Sequence, residues 1–379
     1  MTEPAYPAAR AVASLVEAYF ARLHASARTE GREATAPTPG ADVVEALVDT
    51  AFWASLRREE GHAPRISLAF LPASRAGSPQ TFARPLPLTA AGLTRLAPAV
   101  ERRGIHLGVW IDRGELHVWG TTLHIPPLCL VLEVVEPGVL VLKYSRGEEF
   151  GKYGNVVVFG GDQVKVVDEA GGRVPECPSL VSLLLGSYAP GAHAGAANVL
   201  LQLAVSMRAH GRGGSLLVVP DGTERWRDSI VSPIRYEVAP PFTGLAELVR
   251  SESAEGDRST WQEDFQRVVG AVAGLTAVDG ATILSDRYEL FAFGAKIGRP
   301  EGNVPVEEVV VTEPVVGAGP VVLHASQVGG TRHLSAAQFA HDQRDALALV
   351  ASQDGRFTIF AWSRREERVH AYRVETLLL

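Results

Sequence analysis

At 379 residues the chain is long for one ordinary domain, so two or three domains are expected. Its 46% apolar and 21% charged residues describe a folded protein with substantial cores. A formal net charge of −7 without a Lys/Arg-rich run argues against a nucleic-acid partner, which would call for a basic footprint. The two cysteines, Cys129 and Cys177, form no metal spacing and read as free thiols of a reducing compartment. Met1 to Arg10 lacks the basic start and apolar core of a signal peptide. The most apolar stretch, Leu128 to Leu142, is interrupted by Glu133, Glu136, Pro137 and Gly138. No membrane span is expected there, and a cytoplasmic location follows by default.

In chain order, apolar residues at helical spacing predict helices over Ala8–Arg28 and Asp42–Arg58, joined by a polar connection from Ala27 to Gly40. A strand is expected over Arg65–Leu71, then a Gly/Ser/Pro-rich loop, then a helix near Ala90–Arg103. From Gly104 the pattern turns to strands, with a hairpin signal at Asp112-Arg113-Gly114, two strands joined at Pro137-Gly138 and an ordinary hairpin turn at Gly160-Gly161-Asp162. Gly171 to Pro178 reads as a linker or long loop. The expected division is a region 1–190, helical over 1–103 and strand-rich over 104–190, followed by a domain 191–379.

The second part alternates helices (Asn198–Ala209, Gly244–Arg250, Trp261–Gly274) with apolar strands. Those strands are Ser215–Val219, Ala281–Leu284, Leu290–Ile297, Glu308–Val311, Val321–His324, Ala346–Ala351 and Phe357–Trp362. The fold class expected is α/β (α+β): a mixed sheet flanked by helices in the C-terminal domain, after an N-terminal α+β region.

Two short runs carry chemistry. Gly329-Gly330-Thr331-Arg332-His333 precedes a helix expected to begin at Ser335, where Ser335 and Gln338 have capping-box spacing. Glycines, a hydroxyl, an arginine and a histidine at a helix N-terminus make an anion cradle. Asp279-Gly280-Ala281 has two readings: a carboxylate within an apolar strand, costly unless paired or metal-bound, or a plain Asp-Gly turn before the strand. Gly280 would let a ligand or another backbone come close. Gly211-Arg212-Gly213-Gly214-Ser215 lacks the Gly-Lys-Ser/Thr ending of a P-loop and reads as a turn into a strand. His117 and His124 have no zinc spacing, and Ser215 and Ser352 sit in no nucleophile elbow.

Taken in order, Asp279-Gly280-Ala281, then Gly330-Thr331-Arg332-His333-Leu334, Asp345–Ala351 and Ser352-Gln353-Asp354 resemble the diadenylate cyclase (DAC) domain family. That family carries Asp-Gly-Ala, Gly-Thr-Arg-His-Arg, an apolar strand and a Ser-Glu-Glu turn. Gly214–Val219 is similar to its early buried strand, and the resemblance covers about Gly191 to Leu379. It implies condensation of two ATP into cyclic di-AMP with release of two pyrophosphates, by two domains face to face in a homo-oligomer.

By the same resemblance Asp279 holds a divalent metal (Mg²⁺ or Mn²⁺) and helps activate the ribose 3′-hydroxyl, and Arg332 and His333 are catalytic with it. The implied ATP-binding set is Gly280, Ala281, Ile297, Gly330, Thr331, Ser335 and Ser352. Ala295-Lys296-Ile297 matches the segment whose backbone reads adenine. Leu334 and Gln353 depart from the family pattern, replacing an arginine and an acid, and they motivate the alternative of a degenerate, nucleotide-binding signalling domain. The N-terminal part resembles the DACNV type of sensor, whose ligand the sequence does not disclose.

Overall fold

The computed structural model describes residues 5–29, 31, 36–102, 104–146, 153–168, 194–251 and 258–379. Two compact units emerge, residues 1–167 and Asp168–Leu378. The boundary expected at 190/191 and the linker at Gly171–Pro178 lie outside the described residues.

In the first unit, helix α1 (Pro7–Thr29) buries Val12, Val16, Tyr19 and Phe20, the one-face spacing that predicted it. Helix α2 (Ala41–Ser55) buries Val44, Leu47, Val48 and Ala51 in the same manner. Helix α3 (Ala90–Leu96) is capped by Thr89, whose hydroxyl accepts from the Gly92 N–H at 3.1 Å. The sheet comprises β1 (Ile66–Phe70), β2 (Gln80–Pro87), β3 (His106–Asp112), β4 (Glu115–Thr122), β5 (Leu130–Glu136), β6 (Val139–Ser145), β7 (Tyr153–Gly160) and β8 (Gln163–Val166). Its order is β2-β4-β3-β1-β5-β6-β7-β8, with β1 parallel to β3 and antiparallel to β5. Arg113 and Gly114 both take positive φ between β3 and β4, the conformation of a tight hairpin turn.

One correction concerns the expected helical character of residues 1–103. Residues 80–87 form an exposed edge strand within the stretch read as loop. Its prolines, Pro85 and Pro87, and its lack of a buried face hid it, since edge positions tolerate both.

The second unit holds a nine-stranded sheet of β9 (Gly214–Val219), β10 (Tyr236–Phe242), β11 (Ala281–Ser285), β12 (Leu290–Ala295), β13 (Glu308–Thr312), β14 (Val321–His324), β15 (Leu347–Ala351), β16 (Phe357–Ser363) and β17 (Arg368–Arg373). Its order is β10-β12-β11-β9-β15-β16-β17-β13-β14. Strand β9 runs parallel to β11 and antiparallel to β15, and β13 runs parallel to β17, so this sheet is mixed, as expected.

Helices α4 (Ala194–Ala209), α5 (Gly244–Ser251), α6 (Arg258–Leu275) and α7 (Thr331–Asp342) accompany it. Helix α7 packs across β9, β15, β16 and β17, and its Ala336, Ala337, Phe339 and Ala340 share a core with Leu217, Val219, Ala281, Ile283, Ala348, Val350 and Phe360. The intervening strand residues Leu216, Val218, Leu284 and Leu349 are buried on the opposite face, where α4 and α6 pack. Phe360 is fully buried against α7. Phe360→Ala is expected to lower stability by about 3–5 kcal/mol, read as a lower midpoint in urea unfolding.

Candidate functional site

Strand register gathers the site. Parallel pairing sets Ala281 beside Ser215, and antiparallel pairing sets Ala351 beside Gly214. On β12, Ala295 pairs with Ala281. The residues just ahead of β11, just ahead of β9 and just after β15 and β12 therefore share one end of the sheet. Asp279 precedes β11 and Ser352 follows β15, the two strands that flank β9. Ser215, Leu217 and Val219 alternate towards α7, as do Ala348, Val350 and then Ser352, so the strip faces the helix that carries Arg332.

Helix α7 begins at Thr331, not at Ser335. Gly330 is its N-cap, in an extended conformation with no side-chain cap, and the Gly330 carbonyl accepts from the N–H groups of His333 (2.9 Å) and Leu334 (3.2 Å). Thr331, Arg332 and His333 thus form the first turn itself. Ser335 is half-buried one turn further on, and the capping-box reading fails because Gln338 is engaged elsewhere. Its side chain accepts from the Val306 N–H at 2.9 Å and donates to the Asp342 carboxylate at 2.9 Å.

The Arg332 guanidinium reaches the glycine run before β9. A Cβ built on Gly213 (φ +71) would stand 3.0 Å from Arg332 Nη1 and 3.3 Å from both the Ala351 carbonyl and Gln353 Cγ. Only glycine leaves that space open. Gln353 donates to the Arg212 carbonyl at 3.3 Å, fastening the turn after β15 to the loop before β9. Among the described residues Arg332 has no hydrogen bond or ion pair. The glycine run read as a mere turn therefore forms a wall of this site. Only strand order could have disclosed that.

His333 is buried, with its ring lying over Gly329 and edge-on to Phe360 at 6.0 Å. No described residue hydrogen-bonds the ring. Burial lowers its pKa, Asp354 opposes that, and the positive charges of Arg373, Arg356 and Arg332 reinforce it. Nearby, the Ser352 hydroxyl donates to Asp354 and holds that carboxyl below its ordinary range. Ser352 is half-buried, and its N–H donates to the Arg356 carbonyl at 2.9 Å across a tight hairpin.

Asp279 stands in the turn before β11, with its side chain 87% exposed and Lys296 Nζ 3.7 Å away. The cost of a carboxylate inside an apolar strand is therefore not incurred; the turn reading describes the backbone. Gly280 (φ +116) is where another backbone comes close, since a Cβ there would lie 2.4 Å from the Gly294 carbonyl carbon. Ala281 follows, fully buried as the first residue of β11.

Beyond β12, the Val231 N–H donates to Lys296 O at 2.8 Å and the Gly298 N–H to Ser229 O at 2.9 Å. Ile297, bridged to Ile230 between those two bonds, is the non-hydrogen-bonded pair, so its own N–H and C=O face away from the bridge.

Among the described residues no group of three His, Cys, Asp or Glu side chains could hold a metal ion. Nor is any helix long and apolar enough to cross a membrane among those residues. A cavity of about 360 Å³ opens at the other end of α7, lined by Val306, Glu307, His341, Trp362 and Arg368 among others. None of the predicted site residues lines it.

Residues 33–123 match the family described as Probable sensor domain DACNV, a segment that contains α2, α3 and β1–β4. No curated protein matches this sequence. Among solved structures, the crystal structure of DacA from Staphylococcus aureus, a double mutant, is similar at 13% identity and a TM-score of 0.24. That likeness covers 46% of this chain and 83% of the other, and at this TM-score it assigns neither reaction nor site.

Two outcomes follow. Gly280→Ala combines a left-handed backbone with a backbone clash and is expected to cost about 2–4 kcal/mol, visible as a lowered thermal midpoint. His333 titrates below its ordinary 6.5 when folded, so the unfolded chain binds the proton first as pH falls. Stability is full above about pH 6.5 and is lost as pH drops through and below that value. Urea midpoints from about pH 7.5 to about pH 5.5 should fall less steeply in His333→Gln than in the wild type.

Proposed function

We propose that the second unit is a nucleotidyltransferase of the diadenylate cyclase type, condensing two ATP into cyclic di-AMP and two pyrophosphates under the control of the N-terminal sensor region. The observation that carries this reading is the meeting of Asp279, Ile297, Arg332 and Ser352 at one sheet end, in the order the family motifs require. The match of residues 33–123 to a sensor domain supports the regulatory half.

In this reading the triphosphate lies along the first turn of α7. The free N–H groups there favour anions, Arg332 offers a two-pronged contact, and Gly330, Thr331 and Ser352 line the path. The His333 ring, neutral because it is buried, donates one N–H to a phosphate oxygen. Ile297 presents its main chain to the adenine edge, and Gly280 and Ala281 place Asp279. Ser335, one turn along α7, flanks Thr331.

An exposed carboxylate, here 3.7 Å from the Lys296 ammonium, fits a divalent metal shared with the substrate, because Mg²⁺ is commonly held by one or two carboxylates plus phosphates. Asp279 would hold Mg²⁺ or Mn²⁺, which when bound neutralises charge at the transferring phosphorus. Asp279 also draws the proton from the ribose 3′-hydroxyl. Each unit accommodates one ATP, so two copies must face each other to join two nucleotides.

A second reading is favoured by Leu334 and Gln353: a unit that binds nucleotide and signals without turnover. Purified protein with ATP and Mg²⁺ or Mn²⁺ is expected to form cyclic di-AMP, and Asp279→Ala to reduce the rate at least about 100-fold. An ATP-induced rise in thermal midpoint without product would select the second reading, particularly if Leu334→Arg restores turnover. Neither product nor thermal shift, at any protein concentration, would sink both.

A further inference from the structure

In the first turn of α7 Leu334 stands 40% exposed and uncharged. Yet charge converges on the same spot from other elements. Arg356 is the cross-strand partner of Ser352, because Ala351 pairs with Phe357 and the Ser352 N–H meets the Arg356 carbonyl. Arg373 pairs with Thr358 on the neighbouring strand.

Alternation puts Arg356 on the face of Phe360 and Arg373 on the face of Val369 and Ala371, all three of which belong to the core under α7. The charges of Arg373, Arg356 and Arg332 act on His333 together, and that of Asp354 acts against them. His333 itself is only 5% exposed, and no described residue hydrogen-bonds its ring.

The arginines differ in freedom. Arg373 donates to the Val328 carbonyl at 3.4 Å, tying the end of β17 to the segment ahead of α7. The Arg356 guanidinium meets Asp354 through a solvent-exposed Nε contact of 3.4 Å. Asp354 is in turn fixed by the Ser352 hydroxyl and the Arg356 N–H, and the exposed Arg356–Asp354 pair is a weak one that an anionic ligand can compete with.

We infer that Arg356 is a further polyphosphate-contacting residue, supplying from the hairpin after β15 the cation that Leu334 does not supply from α7. This rests on the nucleotide reading above. Its ligand class is the nucleoside triphosphate, with the terminal phosphates as the groups contacted.

The test is equilibrium binding of AMP, ADP and ATP to the full chain, wild type against Arg356→Gln and the double variant Leu334→Arg/Arg356→Gln. Arg356→Gln should weaken ATP about tenfold while changing AMP less than about twofold. The salt dependence of ATP binding should also shrink, and Leu334→Arg should recover the loss. An unaltered unliganded thermal midpoint certifies that the variant folds; if it falls, Arg356→Lys, which keeps the charge, must retain most of the ATP affinity. Equal weakening of AMP and ATP, or unchanged ATP affinity, overturns the inference and leaves the nucleotide reading intact. A wild type that binds none of the three nucleotides overturns both.

Discussion

Everything at the candidate site depends on β9 having neighbours of opposite direction. A parallel neighbour, β11, begins where β9 begins; an antiparallel neighbour, β15, ends there. Residues from three distant parts of the chain are thereby brought to one level by backbone hydrogen bonds alone. Helix α7, packed over the same strands, then lowers its N-terminal turn onto the strip. A slip of one residue in either pairing would turn Ser352 or the residues of β11 to the other face of the sheet, away from Arg332.

The legible parts of this fold are those in which apolar residues repeat. Helices α1 and α2 and the buried strands β9, β11 and β15 announce themselves by spacing. Strands β2 and β10 do not, because both are edge strands with two prolines and little burial. Strand β17 is short and bounded by arginines, so its inward residues form no obvious run. The start of α7 differs from its sequence pattern for another reason. Ser335 and Gln338 have the right spacing, but Gln338 bonds sideways to the backbone near Val306, and an extended Gly330 starts the helix without any side chain.

The site was half legible. Asp279, Arg332 and His333 stand out through motif order, since each belongs to a short run of unusual composition. Arg212, Gly213, Arg356 and Arg373 do not stand out, because their significance is a matter of register and facing, which no local pattern encodes. The electrostatics are equally non-local. His333 titrates low through burial and through arginines drawn from its own helix, the β15–β16 hairpin and β17.

The contact between Gly280 and Gly294 has a consequence for how this protein can vary. Main chain meets main chain there, with no side chain between them to be exchanged. The turn that carries Asp279 is therefore held by main chain on one side, while the Tyr236 and Val278 side chains close the space beside Gly294 on the other. A side chain added at either glycine would meet atoms already in place, so the corner can accept one only by shifting the turn that carries Asp279.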